Sequence, residues 1–277
     1  MYIVTGALGF IGRHIVNFLG QENVYSFDKQ NTVDEIYSLR NVDGIFHQGA
    51  CADTMCTSTE CMKANNVTLS KALIDFAADH GIPIVYASSA AVYGTSTDFR
   101  EVPANENPIN IYAEAKLIVD EYARSKIPAA SSAIVGLRYF NVHGPDERSK
   151  GRMASMPYQL SVQRQETGSM KIFENGEQSR DFVCVDDVVA VNVFFIKHSF
   201  SGILNVGTGN ARSFNDLTRM LGGQTEYIPF DANLKGKYQN FTQAEISNLR
   251  KAGYTAEFIP LETGIDIYFN RDRLRKT

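Results

Sequence analysis

Tyr112-Ala113-Glu114-Ala115-Lys116 sets a phenol and an ammonium four residues apart, a spacing that puts both on one face of a helix. A free tyrosine, with a pKa of about 10, is a poor base at neutral pH. A fixed ammonium close by, together with a positively charged nicotinamide, favours the phenolate. Upstream, Ser88-Ser89-Ala90 closes the strand pattern Ile84-Val85-Tyr86-Ala87. Open α/β sheets bind ligands at the carboxyl ends of their strands, where the Ser89 hydroxyl could donate to a substrate oxygen. Tyr-x3-Lys alone is ordinary helix surface. Together with Ser89 and the glycine turn described next, it makes Ser89, Tyr112 and Lys116 candidate catalytic residues.

Gly6-Ala7-Leu8-Gly9-Phe10-Ile11-Gly12 lies between a short β-rich run, Tyr2-Ile3-Val4-Thr5, and an apolar helical pattern reaching Leu19. Backbone without Cβ can approach a pyrophosphate closely, and a helix N-terminus turns unpaired N–H groups toward it. Asp28 ends the next strand, Val24 to Phe27, where a carboxylate can accept hydrogen bonds from adenosine ribose hydroxyls. In this context the glycines point to dinucleotide binding. Lys29 stands beside Asp28, and its ammonium could pair with a ribose 2′-phosphate that Asp28 would repel.

Strand and helix patterns alternate as far as Phe140, which predicts a parallel sheet covered on both faces. Helices are expected over Gly9 to Leu19, Thr32 to Arg40, Lys63 to Asp79 and Ile111 to Ala123. Strands are expected at Val24 to Phe27, Gly44 to His47, Ile84 to Ala87 and Ala133 to Phe140. Between Asp28 and Ile45 there is room for one crossover helix, but not for a strand and a second helix as well. The fold expected is therefore α/β, a doubly wound parallel sheet without the usual third, edge strand. After Asn141 the rhythm breaks at Gly144-Pro145. Residues 1–141 are read as a dinucleotide-binding domain with a returning segment near 181–208, in which Phe182 to Val185 comes back to the sheet side. Residues 142–277 are read as a smaller α/β substrate-binding region. Arg271, Arg273, Arg275 and Lys276 read as a solvated helix end.

The 277 residues are 44% hydrophobic and 21% charged, a globular mix rather than a disordered one. Lys and Arg number 27 against 31 Asp and Glu, a balance that argues against partners held by nucleic-acid phosphates or anionic lipid. No apolar run approaches the length of a membrane span, and no signal-peptide pattern opens the chain, so a cytoplasmic protein is expected. Cys51, Cys56 and Cys61 fall at intervals of five. That spacing lacks the close pairs of common zinc and iron–sulfur sites, so reduced thiols and no metal are expected.

Several segments carry a resemblance. Thr5-Gly6 through Gly12, Ser89, and Tyr112 with Lys116 resemble the extended short-chain dehydrogenase/reductase superfamily and its Rossmann-type fold. Within it the chain is similar over nearly its whole length to the ADP-L-glycero-D-manno-heptose 6-epimerase family. The matching segments are Ile45-Phe46-His47-Gln48-Gly49-Ala50-Cys51, Tyr86-Ala87-Ser88-Ser89-Ala90-Ala91, Arg138-Tyr139-Phe140-Asn141-Val142, Lys150-Gly151-Arg152-Met153-Ala154-Ser155 and Arg180-Asp181-Phe182-Val183. Glu226-Tyr227-Ile228-Pro229-Phe230, Leu234-Lys235-Gly236-Lys237-Tyr238-Gln239 and Phe241-Thr242-Gln243 lie outside the generic cofactor motifs.

The resemblance implies epimerisation of ADP-D-glycero-D-manno-heptose at C6″, by transient oxidation to a ketone and re-reduction on the opposite face. It implies Tyr112 and Lys150 as the two acid–base groups, Lys116 as the residue that orients the cofactor ribose, and Ser89 on the reacting oxygen. The implied cofactor is NADP, with NAD as the alternative, held by Gly6, Gly9, Phe10, Ile11, Gly12, Asp28, Lys29, Gln48, Gly49, Ala50, Cys51, Ala52, Asn65, Lys116 and Val142. The implied substrate residues are Ser89, Asn141, Arg152, Gln159, Phe173, Arg180 and Tyr238, with the Arg180 fork suited to a diphosphate. Arg152 and Gln159 replace a serine and a histidine typical of the family. The shortened stretch after Asp28 leaves Lys29 as the candidate for a 2′-phosphate. Family analogy implies a homo-oligomer, a ring of five. The competing readings are a UDP-sugar 4-epimerase on the same scaffold and a non-catalytic dinucleotide-sensing subunit. A 4,6-dehydratase fits less well, since Ala90-Ala91 stands where such enzymes carry an acidic pair.

Overall fold

The computed structural model describes residues 1–28, 31–230 and 239–274. The basic side chains of Arg271, Arg273, Arg275 and Lys276 lie outside what it describes. The first half runs β1 (Tyr2–Thr5), α1 (Phe10–Leu19), β2 (Val24–Phe27), α2 (Val33–Ser38), β3 (Gly44–His47), α3 (Thr59–Met62), α4 (Leu69–His80), β4 (Ile84–Ser89), α5 (Ile111–Lys126) and β5 (Ile134–Tyr139). A wide π turn, Lys63–Thr68, joins α3 to α4. The expected helix over Lys63 to Asp79 therefore exists, with its first turns opened out.

The second half runs β6 (Asn141–His143), α6 (Met156–Thr167), β7 (Ser169–Phe173), β8 (Ser179–Cys184), α7 (Val185–Ile196), β9 (Gly202–Val206), β10 (Ala211–Ser213), α8 (Phe214–Leu221), β11 (Gln224–Ile228), β12 (Phe241–Thr242), α9 (Ser247–Lys251) and α10 (Leu261–Leu274).

Six parallel strands form the main sheet in the order β2-β1-β3-β4-β5-β9. β2 is an edge, and among the described residues only the six-residue α2 crosses from it to β3. Among the described residues no third strand of the usual arrangement stands there, in keeping with the 16 residues between Asp28 and Ile45, and the remaining order is intact. Alternate residues of each strand serve opposite faces. Ile3, Ile45 and Tyr86 pack under α4 and α5 with Leu73, Ile74 and Val119. Val4, Phe46 and Val85 pack on the other side with Ile15 and Val16 of α1 and Val188 and Val191 of α7.

Within the returning segment near 181–208, Val183 and Val185 pack in the main-sheet core, but β8 does not pair with the main sheet. β8 pairs with β6, β10 and β12 in a second, smaller sheet, and the free edge of β5 is taken by β9. Neighbouring β8 side chains serve two cores: Phe182 packs with Leu160, Ile172, Phe214 and Leu261, whereas Val183 packs with the main-sheet group. An apolar run that feeds both cores does not reveal which sheet it pairs with. β7 and β11 form a separate parallel pair.

Candidate active site

The glycine turn admits no side chain where it approaches its neighbours. A Cβ on Gly12 would lie 2.1 Å from the Gly6 carbonyl oxygen, and one on Gly6 would lie 2.8 Å from the Gly49 backbone. Gly6 also has φ of 63°, a region that disfavours side chains. The N-terminus of α1 therefore stands against bare backbone, the geometry a pyrophosphate needs. Asp28 faces this turn from the end of β2, accepting the Leu8 N–H at 3.0 Å. These residues fit a dinucleotide. Lys29 lies outside the described residues.

Behind the turn runs a buried polar chain. The Gly49 N–H donates to Thr5 Oγ1 at 2.9 Å, and Thr5 Oγ1 lies 2.6 Å from His47 Nδ1. His47 Nε2 lies 2.7 Å from Ser70 Oγ, whose hydroxyl donates to the Asn66 carbonyl at 2.5 Å. Because Ser70 spends its proton on Asn66, His47 donates from Nε2 and accepts at Nδ1. Burial, and secondarily the Lys116 charge, lower the His47 pKa to about 3, so the ring is neutral. Asn66, turned inward by the π turn, grips the loop beyond β3: its Oδ1 accepts from the Cys51 N–H at 2.7 Å, and its Nδ2 donates to the Cys51 carbonyl at 3.0 Å. The Gln48 side chain turns into the fold instead, bonded to Asn192 and Tyr139. Asn65 is exposed and donates to the Cys61 carbonyl. His47, Thr5, Ser70 and Asn66 were not singled out from the sequence, and no local motif marks them.

Helix α5 brings Tyr112 and Lys116 to the carboxyl end of β4. Asn110 starts the helix, its Oδ1 accepting the Ala113 N–H at 2.9 Å. Lys116 is buried and donates from Nζ to the Ala87 carbonyl at 2.7 Å. Its Nζ is 6.0 Å from the Tyr112 ring centroid. Desolvation lowers the Lys116 pKa to about 8 against the opposing pull of Asp120. Burial raises the Tyr112 pKa above its ordinary value; Ser89 opposes this and Cys51 adds to it. The acidification expected from the sequence counted a nicotinamide charge as well as Lys116. Among the chain's own groups desolvation wins, and a cationic ligand charge would have to supply the rest.

Beyond β6, Glu147 is wholly buried and accepts from Gly144 N, Ser155 N and Ser155 Oγ at 3.1, 2.7 and 2.7 Å. It also pairs with Lys150 Nζ at 2.8 Å. Lys150 is thereby held 4.5 Å above the Phe10 ring, and its Nζ lies 3.4 Å from the Val142 carbonyl. Two contacts tie the following residues to the Cys51 loop: Arg152 to Asp53 at 2.6 Å, and Thr54 Oγ1 to Met153 Sδ at 3.6 Å. The segment carrying Lys150 thus closes over the glycine turn and meets the loop beside Tyr112.

The remaining described substrate candidates are spread over β6, α6, β7 and β8. Asn141 Nδ2 donates to the Asp181 carbonyl and to Thr242 Oγ1, each at 3.3 Å. Gln159 bonds the Ala154 carbonyl at 2.7 Å, next to Arg152. Arg180 is buried, with its guanidinium 5.8 Å from the Phe214 ring. Phe173 meets Phe230 edge to face at 5.2 Å. Tyr238 lies outside the described residues. One departure from the sequence reading concerns the cysteines. All four are free, yet the sulfurs of Cys51, Cys56 and Cys61 come within 4.8 Å of one another, because the Cys51 loop folds back onto α3.

Comparison with solved structures gives extensive matches. Helicobacter pylori ADP-L-glycero-D-manno-heptose-6-epimerase is 32% identical with a TM-score of 0.87, over 98% of this chain and 96% of that one. UDP-N-acetylglucosamine 4-epimerase from Methanobrevibacter ruminantium is 25% identical with a TM-score of 0.86, over 99% and 98%. MoeE5, solved with UDP-glucose and NAD, is 26% identical with a TM-score of 0.83, over 100% and 99%. The model of the NAD dependent epimerase/dehydratase family matches residues 2–207. With a glycine turn, an acidic strand end and a Ser–Tyr–Lys group on the sheet that this match spans, the chain belongs to the NAD dependent epimerase/dehydratase family.

Proposed function

We propose that the protein epimerises ADP-D-glycero-D-manno-heptose to the L-glycero isomer at C6″. The observation that carries this reading is the pair of proton carriers on different elements: Tyr112 on α5, and Lys150 held by Glu147 above Phe10. Two acid–base groups, one for each face, suit the inversion of one carbon through a ketone. The 32% identity with the Helicobacter pylori enzyme supports the choice of substrate. A dinucleotide bound at the glycine turn supplies a reversible hydride acceptor. Gly6, Gly9 and Gly12 take its pyrophosphate and Asp28 its adenosine ribose. The backbone from Gln48 to Ala52 lines its other side, with Phe10, Ile11, Asn65 and Val142 around it. Lys116 orients the second ribose.

Ser89 hydrogen-bonds the reacting oxygen. Tyr112 takes the proton of the C6″ hydroxyl as that carbon becomes planar, and Lys150 serves the other face when the carbon is reduced again. Asn141, Arg152, Gln159, Phe173, Arg180 and Tyr238 hold the ADP-sugar. The reading includes a preference for NADP through Lys29, cytoplasmic residence and a homo-oligomer, five copies by family analogy. Native mass spectrometry reads both the stoichiometry and any retained dinucleotide.

The test is NMR of ADP-D-glycero-D-manno-heptose incubated with purified protein and no added electron acceptor. Appearance of the L-glycero epimer is expected. An unchanged heptose together with turnover of UDP-glucose or UDP-N-acetylglucosamine would replace this reading with a UDP-sugar 4-epimerase. Dinucleotide binding with no turnover of any of these would leave a sensing subunit.

A further inference from the structure

We propose that Cys51, Cys56 and Cys61 form a three-thiolate site for a soft or borderline cation, zinc above all, on the loop beside Tyr112. The three sulfurs lie within 4.8 Å of one another. Zinc–thiolate bonds of about 2.3 Å put sulfurs sharing one ion about 3.8–4.0 Å apart, so closing on an ion needs shifts of under about 1 Å. A disulfide would require two of the sulfurs to approach to about 2.05 Å and would leave the third unused.

The backbone around the thiols is already fixed at several points. Asn66 grips Cys51 from both its N–H and its carbonyl. The Cys56 N–H donates to the Asp53 carbonyl at 3.1 Å, and Asp53 Oδ1 accepts from the Met55 N–H at 2.9 Å. Ser58 starts α3 by accepting the Cys61 N–H at 3.2 Å. The three cysteines are half-buried, so an ion can reach them. Asn65 Nδ2 lies 3.5 Å from Cys61 Sγ, an amide donor placed to support a metal-bound thiolate. Three protein sulfurs leave the fourth position of a tetrahedral ion to water, the pattern of open zinc sites. Binding is a plain exchange: each thiol that joins the ion gives its proton to solvent, and nothing is oxidised or reduced.

The experiment uses the full-length, reduced protein, loaded with zinc chloride and desalted, with bound metal measured by elemental mass spectrometry. About one zinc per chain is expected, and cobalt(II) in its place should give the near-ultraviolet absorption of sulfur-to-metal charge transfer. Cys56→Ser and Cys61→Ser should each lower zinc affinity at least about tenfold in chelator competition. Neither residue is assigned to the catalytic or dinucleotide machinery, and circular dichroism checks that each variant folds. If either fails to fold, the cobalt spectrum of the wild type still decides, since no other cluster of sulfurs exists among the described residues. Zinc well below one per chain, a cobalt spectrum without sulfur bands, equal retention in the folded variants, or a disulfide that re-forms in place of zinc binding would each overturn the proposal.

Discussion

Tyr112 and Lys150 would divide the proton transfers between them, and their surroundings differ accordingly. Tyr112 is a half-buried phenol whose pKa is raised by desolvation and lowered in part by Ser89. Lys150 is an ammonium docked on a buried carboxylate. Tyr112→Phe removes the hydroxyl and little volume, so turnover should fall by about two to four orders of magnitude while dinucleotide binding persists. Isothermal titration with dinucleotide and the NMR assay check both halves, and a wild-type rate would remove Tyr112 from the chemistry. Lys150→Ala should lower epimerisation by about a hundredfold or more. An unaffected rate would return Lys150 to the role of a structural partner for Glu147. Ser89, Tyr112 and Lys116 were legible in the sequence because a strand end and an i, i+4 pair are local patterns. Lys150 was reached only through resemblance, since its spacing to Tyr112 carries no local signal.

At the scale of elements, β4 and α5 are locked together by Asp120. It accepts from Tyr86 OH at 3.0 Å, Ser88 Oγ at 2.9 Å and Arg138 Nε at 2.9 Å, and all four residues are buried. Arg138 reaches on to Glu106, which also pairs with Arg124. Strand end, helix and β5 are thus registered by one carboxylate, with Ser89 one residue beyond Ser88 and Lys116 one helical turn before Asp120. Removing one partner of a buried ion pair leaves the other charge uncompensated. Asp120→Ala should cost about 3–5 kcal/mol in urea unfolding, and turnover should fall because Ser89 and Tyr112 lose their common support. A loss under about 1 kcal/mol would show that Glu106 alone satisfies Arg138.

Across the whole molecule, acid stability should bear the mark of His47. Its folded pKa of about 3 lies below the usual 6.5. Between those values the unfolded chain binds a proton that the folded chain refuses, so stability is lost as pH falls from about 6.5 toward 3. The full span is of order 5 kcal/mol. Urea midpoints for the wild type and His47→Gln, measured between those pH values, should show a shallower slope in the variant. Equal slopes would mean that His47 is not held neutral by burial. The same ring joins Thr5 beside the glycine turn to Ser70 beyond the π turn, so acidification should also loosen the loop that carries Cys51.

Read as a bare string of residues, the chain already carried the alternation of strands and helices to Phe140, the omitted edge strand, the glycine turn facing Asp28, and Ser89, Tyr112 and Lys116 as candidates. Each is a matter of period, length or spacing within a few dozen residues, where chain geometry leaves few choices. Only the packed chain shows which sheet β8 joins, that desolvation raises the Tyr112 pKa, and that three cysteines at intervals of five converge. Pairing across long separations, desolvation and loop folding depend on what surrounds a residue, and those surroundings exist only once distant segments have packed.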